Sequence, residues 1–179
     1  MKTAHRIWTV GHSTHALQHF EEILKFHSIE AIADVRAFPA SRRYPHFNKD
    51  AFSESLNRIG IAYYHLPKLG GRRKGVPDSK NTAWENASFR AYADYMETAE
   101  FRKGIESLLD LSQSQRVAIM CAEAVWWRCH RSLIADYLKA QQVKVIHIIN
   151  ERKTEEHPFT SAASIVDGKL SYRGLFREE

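Results

Sequence analysis

Short apolar runs rich in β-branched and aromatic residues recur along this chain, with amphipathic segments between them: RIWTV at 6–10, IEAIADV at 29–35, IAYYHL at 61–66, RVAIMC at 116–121 and VKVIHII at 143–149. Runs of this length suit buried strands. Between the first two, ALQHFEEILKFHS sets Leu17, Phe20, Ile23, Leu24 and Phe26 close to an i, i+3, i+4 pattern, one apolar helix face. Ser13 or Thr14 stands where a cap for that helix is expected, and the first 35 residues read as a β-α-β unit. KDAFSESLNRI predicts a second helix closed by Gly60, ASFRAYADYMETAEFRKGIESLLDLSQ one or two more, and SLIADYLKAQQ a last one. Strands alternating with helices predict one α/β domain over 1–179, a doubly wound, mainly parallel sheet of about five strands flanked by helices. A C-terminal hairpin is expected to turn at Asp167-Gly168.

In such a sheet, ligands sit beyond the carboxyl ends of the strands. The polar clusters follow that rule: Gly11-His12-Ser13 after the first strand, Asp34 and Arg36 after the second, His65 to Arg73 after the third, and Cys121 onward after the fourth. With 44% hydrophobic and 26% charged residues, the chain is ordinary for a soluble globular protein. No apolar run approaches the ~20 residues of a membrane helix, so no membrane partner is expected. MKTAHRIWTVGHST lacks the apolar stretch of a secretory signal, which makes the cytoplasm the expected compartment and reduced thiols the expected state of the two cysteines. A net charge of +5 favours an anionic partner: phosphate, a nucleotide or nucleic acid. The residues call for no cofactor.

The segment MCAEAVWWRCHRS concentrates the chemistry. Cys121 ends a strand, and a helix starts near Arg131 or Ser132. A thiol facing a helix N-terminus and arginines has its thiolate favoured, so Cys121 is the candidate nucleophile. Arg128 and Arg131 supply planar forks for an anion, and Glu123 or His130 would manage protons. Glu123 alternatively pairs with Arg131 or Arg36. Cys121, Cys129 and His130 also form a weaker candidate metal or redox set, although the spacing is wrong for a zinc knuckle. Asp34 is read as orienting a loop, binding a ribose hydroxyl or pairing with Arg36; His12 and Ser13 as anion contacts in the first turn.

Two loops carry arginine pairs, SRRYPHFN and LGGRRK. Arg42, Arg43, Arg72, Arg73 and Lys74 beside Tyr44, Phe47 and Trp84 suit a nucleotide base or single-stranded nucleic acid. Gly70 and Gly71 would let backbone approach a ligand closely, and Arg90 could point from its helix to the same cleft. The second loop, 67 to 86, is long enough to be functional.

Taken together, TVGHST, DVRAFPASRRYPHFN, LPKLGGRR, NASFRAYADYM and MCAEAVWWRCHRSLIADYL closely resemble a bacterial domain-of-unknown-function family, number 488, from about Trp8 to the SYRGLF tail. The matching positions add Asn48 to the binding residues. The chain departs at Trp126, where many members carry proline, which bears on the stiffness of that loop. ADVR, and IMCAE followed by arginine and a helix, more loosely resemble rhodanese-like sulfurtransferases. That likeness implies a Rossmann-like or rhodanese-like sheet and a Cys121 that carries a persulfide or attacks an electrophile. The reading is a cysteine-dependent transferase or hydrolase acting on an anionic or nucleotide-type substrate, with a binding module for nucleic acid as the alternative.

Overall fold

A computed structural model describes residues 5–174. Its main sheet has six strands in the order β3-β2-β4-β1-β5-β6. These are β1 (Arg6–Gly11), β2 (Ala31–Asp34), β3 (Ala62–His65), β4 (Val117–Cys121), β5 (Lys144–Ile148) and β6 (Thr154–Glu156). The first five are parallel and coincide with the five apolar runs. β6 pairs antiparallel with β5 and was not expected: TEE is polar, short and exposed, as an edge strand is when nothing covers it. β7 (Ser164–Val166) and β8 (Lys169–Ser171) make the anticipated hairpin, with Asp167 and Gly168 both at positive φ, as a tight turn of this kind demands. Positions 175 and 176, the end of the SYRGLF motif, lie outside the described residues.

Alternation along each strand divides the core into two layers. Trp8, Val10, Ile32, Ala118 and Met120 face α1 (Leu17–Phe26) and α2 (Lys49–Arg58). Ile7, Ala33, Val35, Ile119, Cys121 and Val145 face α3 (Ala87–Met96), α4 (Ala99–Ser112) and α5 (Arg131–Ala140). Gly60, at φ 78°, ends α2: its N–H meets Asn57 O and the Ile61 N–H meets Leu56 O, the paired bonds of a Schellman turn.

Two local expectations are corrected. β1 and β2 are parallel but not neighbours, because β4 inserts between them. Neither Ser13 nor Thr14 caps α1; the N-cap is Ala16. Ser13 instead takes φ 47° in a turn whose N–H groups are bound to the end of β4.

The β4 insertion creates the switch point. From β1 the chain runs through α1 toward β2 and β3, whereas from β4 it runs through α5 to β5, on the far side of β1 and the other face of the sheet. The two crossovers leave adjacent strand ends by opposite faces, which opens a crevice above Gly11 and Cys121.

Candidate active site

A cavity of about 740 Å³ fills this crevice, lined by the turn after β1, the Arg36–Tyr44 loop after β2, Gly71 and Arg72 after β3, the start of α3, and the segment from Cys121 to His130. Its side chains include Arg36, Arg72 and Arg128 against one acid, Glu123, with Phe38, Tyr44 and Phe89 as aromatic wall.

After β4 the chain folds back across the end of β1. His12 N–H and Ser13 N–H donate to the carbonyls of Cys121 and Ala122, each at 3.0 Å. Gly11 permits the approach: a Cβ at this position would stand 1.9 Å from the Glu123 carbonyl oxygen. The return brings Cys129 to Cys121 with the sulfurs 2.7 Å apart; both are free thiols, 6% and 3% exposed.

The helix N-terminus serves Cys129 rather than Cys121. The Arg131 N–H points to the Cys129 sulfur at 3.5 Å. A 3-10 turn, Trp126–Arg128, separates Cys121 from α5, so Cys129, two residues ahead of the helix, receives its unpaired donor.

Arg131 lies behind the sulfurs, 1% exposed. Its Nη1 donates to Thr9 Oγ1 at 3.2 Å and its Nη2 to the Glu123 carbonyl at 2.6 Å, while Nε has no acceptor. Glu123 therefore holds this arginine through its backbone, its own side chain being exposed. Among the described residues no carboxylate lies within ion-pair distance of Arg131. Burial opposes the guanidinium charge, but the two sulfurs outweigh it and raise the Arg131 pKa. For Cys129, burial pushes the thiol up; the Cys121 S–H, the Arg131 charge and the Arg131 N–H overcome this and bring it down to about 6. Cys121 moves the other way, raised well above its ordinary value by burial and then by the bond it gives Cys129. The two thiols are thus driven apart, Cys129 downward and Cys121 upward.

His130 faces the same sulfur. Its Nε2 is 3.0 Å from the Val35 carbonyl, which can only accept, so Nε2 carries the proton and Nδ1 is left toward Cys129 Sγ at 3.6 Å. Gly71 packs on this ring, where a Cβ would come within 3.2 Å of Nδ1, and Gly70 packs on Ala37. Gly70 thus accommodates the protein's own chain, while Gly71 lies between the His130 ring and the cavity it lines.

Asp34 is fully buried behind the cavity wall and grips Arg36 with both oxygens, Nε at 2.9 Å and Nη2 at 2.6 Å. Tyr63 OH bonds the same carboxylate at 2.5 Å. Burial opposes the Arg36 charge; the hydrogen bonds and charge of Asp34 more than offset it. Arg36 Nη1 remains toward the cavity, 3.5 Å from His12 Nε2. His12 stacks on Phe47 and gives its Nδ1 proton to the Ser13 carbonyl at 2.9 Å. Burial lowers its pKa to about 4, so at neutral pH it offers a lone pair at Nε2.

His12, Ser13, Arg36, Gly71, Arg72, Cys121, Glu123, Arg128 and His130 all line the cavity; Asp34 and Arg131 sit behind its wall. Four further expected residues are also not among the lining. Asn48 accepts the Ser41 N–H at 2.5 Å and fastens its own loop. Arg90 Nε donates to the Trp84 carbonyl. Arg42 is exposed, and Gly70 is turned to Ala37. Arg73 is tied to the Gly70 and Pro67 carbonyls and lies over Tyr95, while Trp84 packs on Phe89 and Tyr172. The far part of the 67–86 loop is anchored to α3, with Val76 N–H, Ser79 and Asn81 all on the Asp94 carboxylate. Among the described residues no group of three or more His, Cys, Asp and Glu side chains is arranged to hold a metal ion, which removes the Cys121, Cys129 and His130 metal set. No helix of the described residues is long and apolar enough to cross a membrane.

The residues missed are Cys129 as the sulfur that takes the helix N–H and Phe38, Ser88 and Phe89 as wall. Cys129 carried a legible signal, since it stands two residues before the helix start. No curated protein and no solved structure matches the chain, and the rhodanese-like likeness finds no support among them. The family model described as "Domain of unknown function DUF488" matches residues 16–138, a span that contains β2, β3, β4 and the whole Cys121–Arg131 segment. This chain belongs to the DUF488 family of unknown function.

Proposed function

We propose that the cavity is the active site of a cysteine-dependent transferase or hydrolase acting on a small anionic substrate, with Cys129 as nucleophile and Cys121 as its hydrogen-bond partner. The observation that carries this reading is a buried arginine whose charge is met by two thiols and by no carboxylate among the described residues. An uncompensated buried charge is costly, and a thiolate on Cys129 relieves it. Arg36, Arg72 and Arg128 supply positive charge along the cavity, and Phe38, Tyr44 and Phe89 supply flat surfaces, which together suit a phosphorylated or nucleotide-type molecule.

In the first step the Cys129 thiolate attacks the electrophilic centre. A sulfur–substrate bond forms, and the leaving group departs with its electron pair and takes the Cys121 proton. Water or an acceptor thiol then displaces Cys129 and returns a proton to Cys121. The close sulfurs favour a second reading, a redox couple: a peroxide or disulfide oxidant takes two electrons from the pair and Cys121 closes a disulfide onto Cys129. A nucleic-acid module keeps Arg42, Arg43, Arg72 and Lys74 but has Arg73 and Trp84 engaged elsewhere, and it predicts oligonucleotide binding that weakens steeply with salt.

The test is iodoacetamide modification against pH, resolved by peptide mass spectrometry, with and without phosphate or AMP. Cys129 is expected to react with a midpoint near 6, well before Cys121, and the anion to slow it. Two cysteines that both titrate near the unperturbed ~8.5 remove the nucleophile. A wild-type protein that yields a linked Cys121–Cys129 peptide under mild peroxide supports the redox reading.

A further inference from the structure

Behind Arg131 a line of buried polar side chains runs away from the cavity, and neither the thiol chemistry nor the sequence motifs account for it. Thr9, His147, His157 and Asp136 are each 0–1% exposed. Thr9 Oγ1 lies 2.6 Å from His147 Nδ1, His147 Nε2 lies 2.9 Å from His157 Nδ1, and His157 Nε2 lies 2.8 Å from Asp136 Oδ1. At the near end Arg131 Nη1 donates to Thr9 Oγ1 at 3.2 Å. At the far end Asp136 is satisfied by the Thr160 N–H and hydroxyl and by Tyr172 OH.

The two ends fix the outer bonds and allow one direction along the whole line. Arginine can only donate, and an ionised carboxylate can only accept. In that direction Thr9 accepts a hydrogen bond from Arg131 and donates its hydroxyl hydrogen to His147 Nδ1. His147 then carries its hydrogen on Nε2 and gives it to His157 Nδ1, and His157 does the same to Asp136. Both rings are neutral in this arrangement. Trp126 stacks flat on His147 at 4.4 Å and stands edge-on to His157, which closes the line off from solvent. Burial depresses the His147 pKa far below that of a free imidazole, consistent with a neutral ring. The chain joins a buried cation to a buried anion through four aligned bonds, and aligned bonds in a low-dielectric interior strengthen one another.

We propose that Thr9, His147, His157 and Asp136 are positioning residues that hold the Arg131 guanidinium in place and charged behind the two sulfurs, and through it sustain the Cys129 thiolate. This rests on the reading of Cys129 as the reactive thiolate. The groups facing Arg131 are Thr9 and His147 from the sheet, the Glu123 and Ala124 carbonyls from the loop after β4, and Cys121, Cys129 and His130 around the sulfurs.

The experiment compares the iodoacetamide pH profile of Cys129 in the wild type, Thr9→Val and Thr9→Ser. Valine keeps the shape and deletes the link; serine keeps the hydroxyl. The expected result is a midpoint raised by about one pH unit in Thr9→Val, a roughly tenfold slower alkylation at pH values below both midpoints, and recovery in Thr9→Ser. A low wild-type midpoint that Thr9→Val leaves unchanged overturns the relay and spares the nucleophile. A wild-type midpoint of an ordinary thiol overturns both. Should Thr9→Val not fold, nitrogen NMR of the wild-type histidines decides: neutral His147 and His157 with hydrogen on Nε2 at pH 7 support the relay, and a charged or Nδ1-protonated His147 overturns it.

Discussion

Arg36 and Arg131 are both buried beside the carboxyl edge of the same sheet, and their charges are met in opposite ways. Arg36 is held by two oxygens of Asp34, which leaves one amino group for the cavity. Arg131 is held by carbonyls and a hydroxyl, all neutral, and its nearest anion is a sulfur. The first arrangement balances much of the positive charge within the fold and turns one amino group to the cavity. The second leaves it to the neighbouring sulfurs, and in the proposed function to a Cys129 thiolate. A carboxylate thus meets the charge of one buried arginine, and dipoles and sulfurs meet that of the other.

The sharpest way to break this comparison is to remove the carboxylate. Asp34→Ala leaves Arg36 charged and unpaired in the interior, at a cost of about 3–5 kcal/mol of stability. The alkylation profile of Cys129 should stay in place in any protein that still folds. Urea unfolding and the Cys129 profile, measured together, check this; a Cys129 midpoint that moves as far as the stability does would merge the two sites. Gly11→Ala comes next. The new Cβ meets the Glu123 carbonyl, and the loop that holds Arg131 must shift. We expect a loss of about 2–3 kcal/mol, of the order seen for overpacking, together with a raised Cys129 midpoint. Arg131→Met should reverse the weighting: about 1–3 kcal/mol of stability for the stranded acceptors, and a Cys129 thiol titrating at or above its ordinary value.

Smaller effects follow from pH. Cys129 sits near 6 in the fold against 9.0 for an ordinary thiol, so its contribution to stability is complete above pH 9 and is lost as the pH falls to about 6. Cys121, raised in the fold, works against stability at higher pH. The urea midpoint of the wild type should therefore climb between pH 6 and 9, and less so in Cys129→Ser. His12, lowered from 6.5 to about 4, adds a further decline as the pH falls from 6.5 toward 4. His12→Gln should flatten that acid limb; an unchanged slope would show that the ring does not stay neutral in the fold.

Much of the architecture was legible because it is written in local patterns. Each parallel strand declares itself by a short apolar run, α2 stops at Gly60 because only that residue accepts the left-handed turn cheaply, and the hairpin turns at Asp167-Gly168 for the same reason. The gathering of His12, Arg36, Arg72, Cys121 and His130 at one edge was legible too, since parallel strands that alternate with helices all deliver their carboxyl ends to one side. β6 escaped because Thr154, Glu155 and Glu156 carry no apolar signal and owe their strand to the free edge of β5. Asn48 and Arg90 were read as binding residues because residue type alone does not separate a side chain that serves a ligand from one that ties down a loop.

By itself the sequence determined the class of fold, the position of the strand ends and the kinds of chemistry available there. Those follow from periodicity and turn chemistry within a few neighbouring residues. Only the tertiary structure decided that β4 lies between β1 and β2 and that Thr9, His147, His157 and Asp136 line up behind Arg131. Each of these is a meeting of segments far apart in the chain. Which thiol ionises is settled by the dipoles and charges within a few ångströms of it, and those arrive from β1, β5 and α5 only when the sheet has closed.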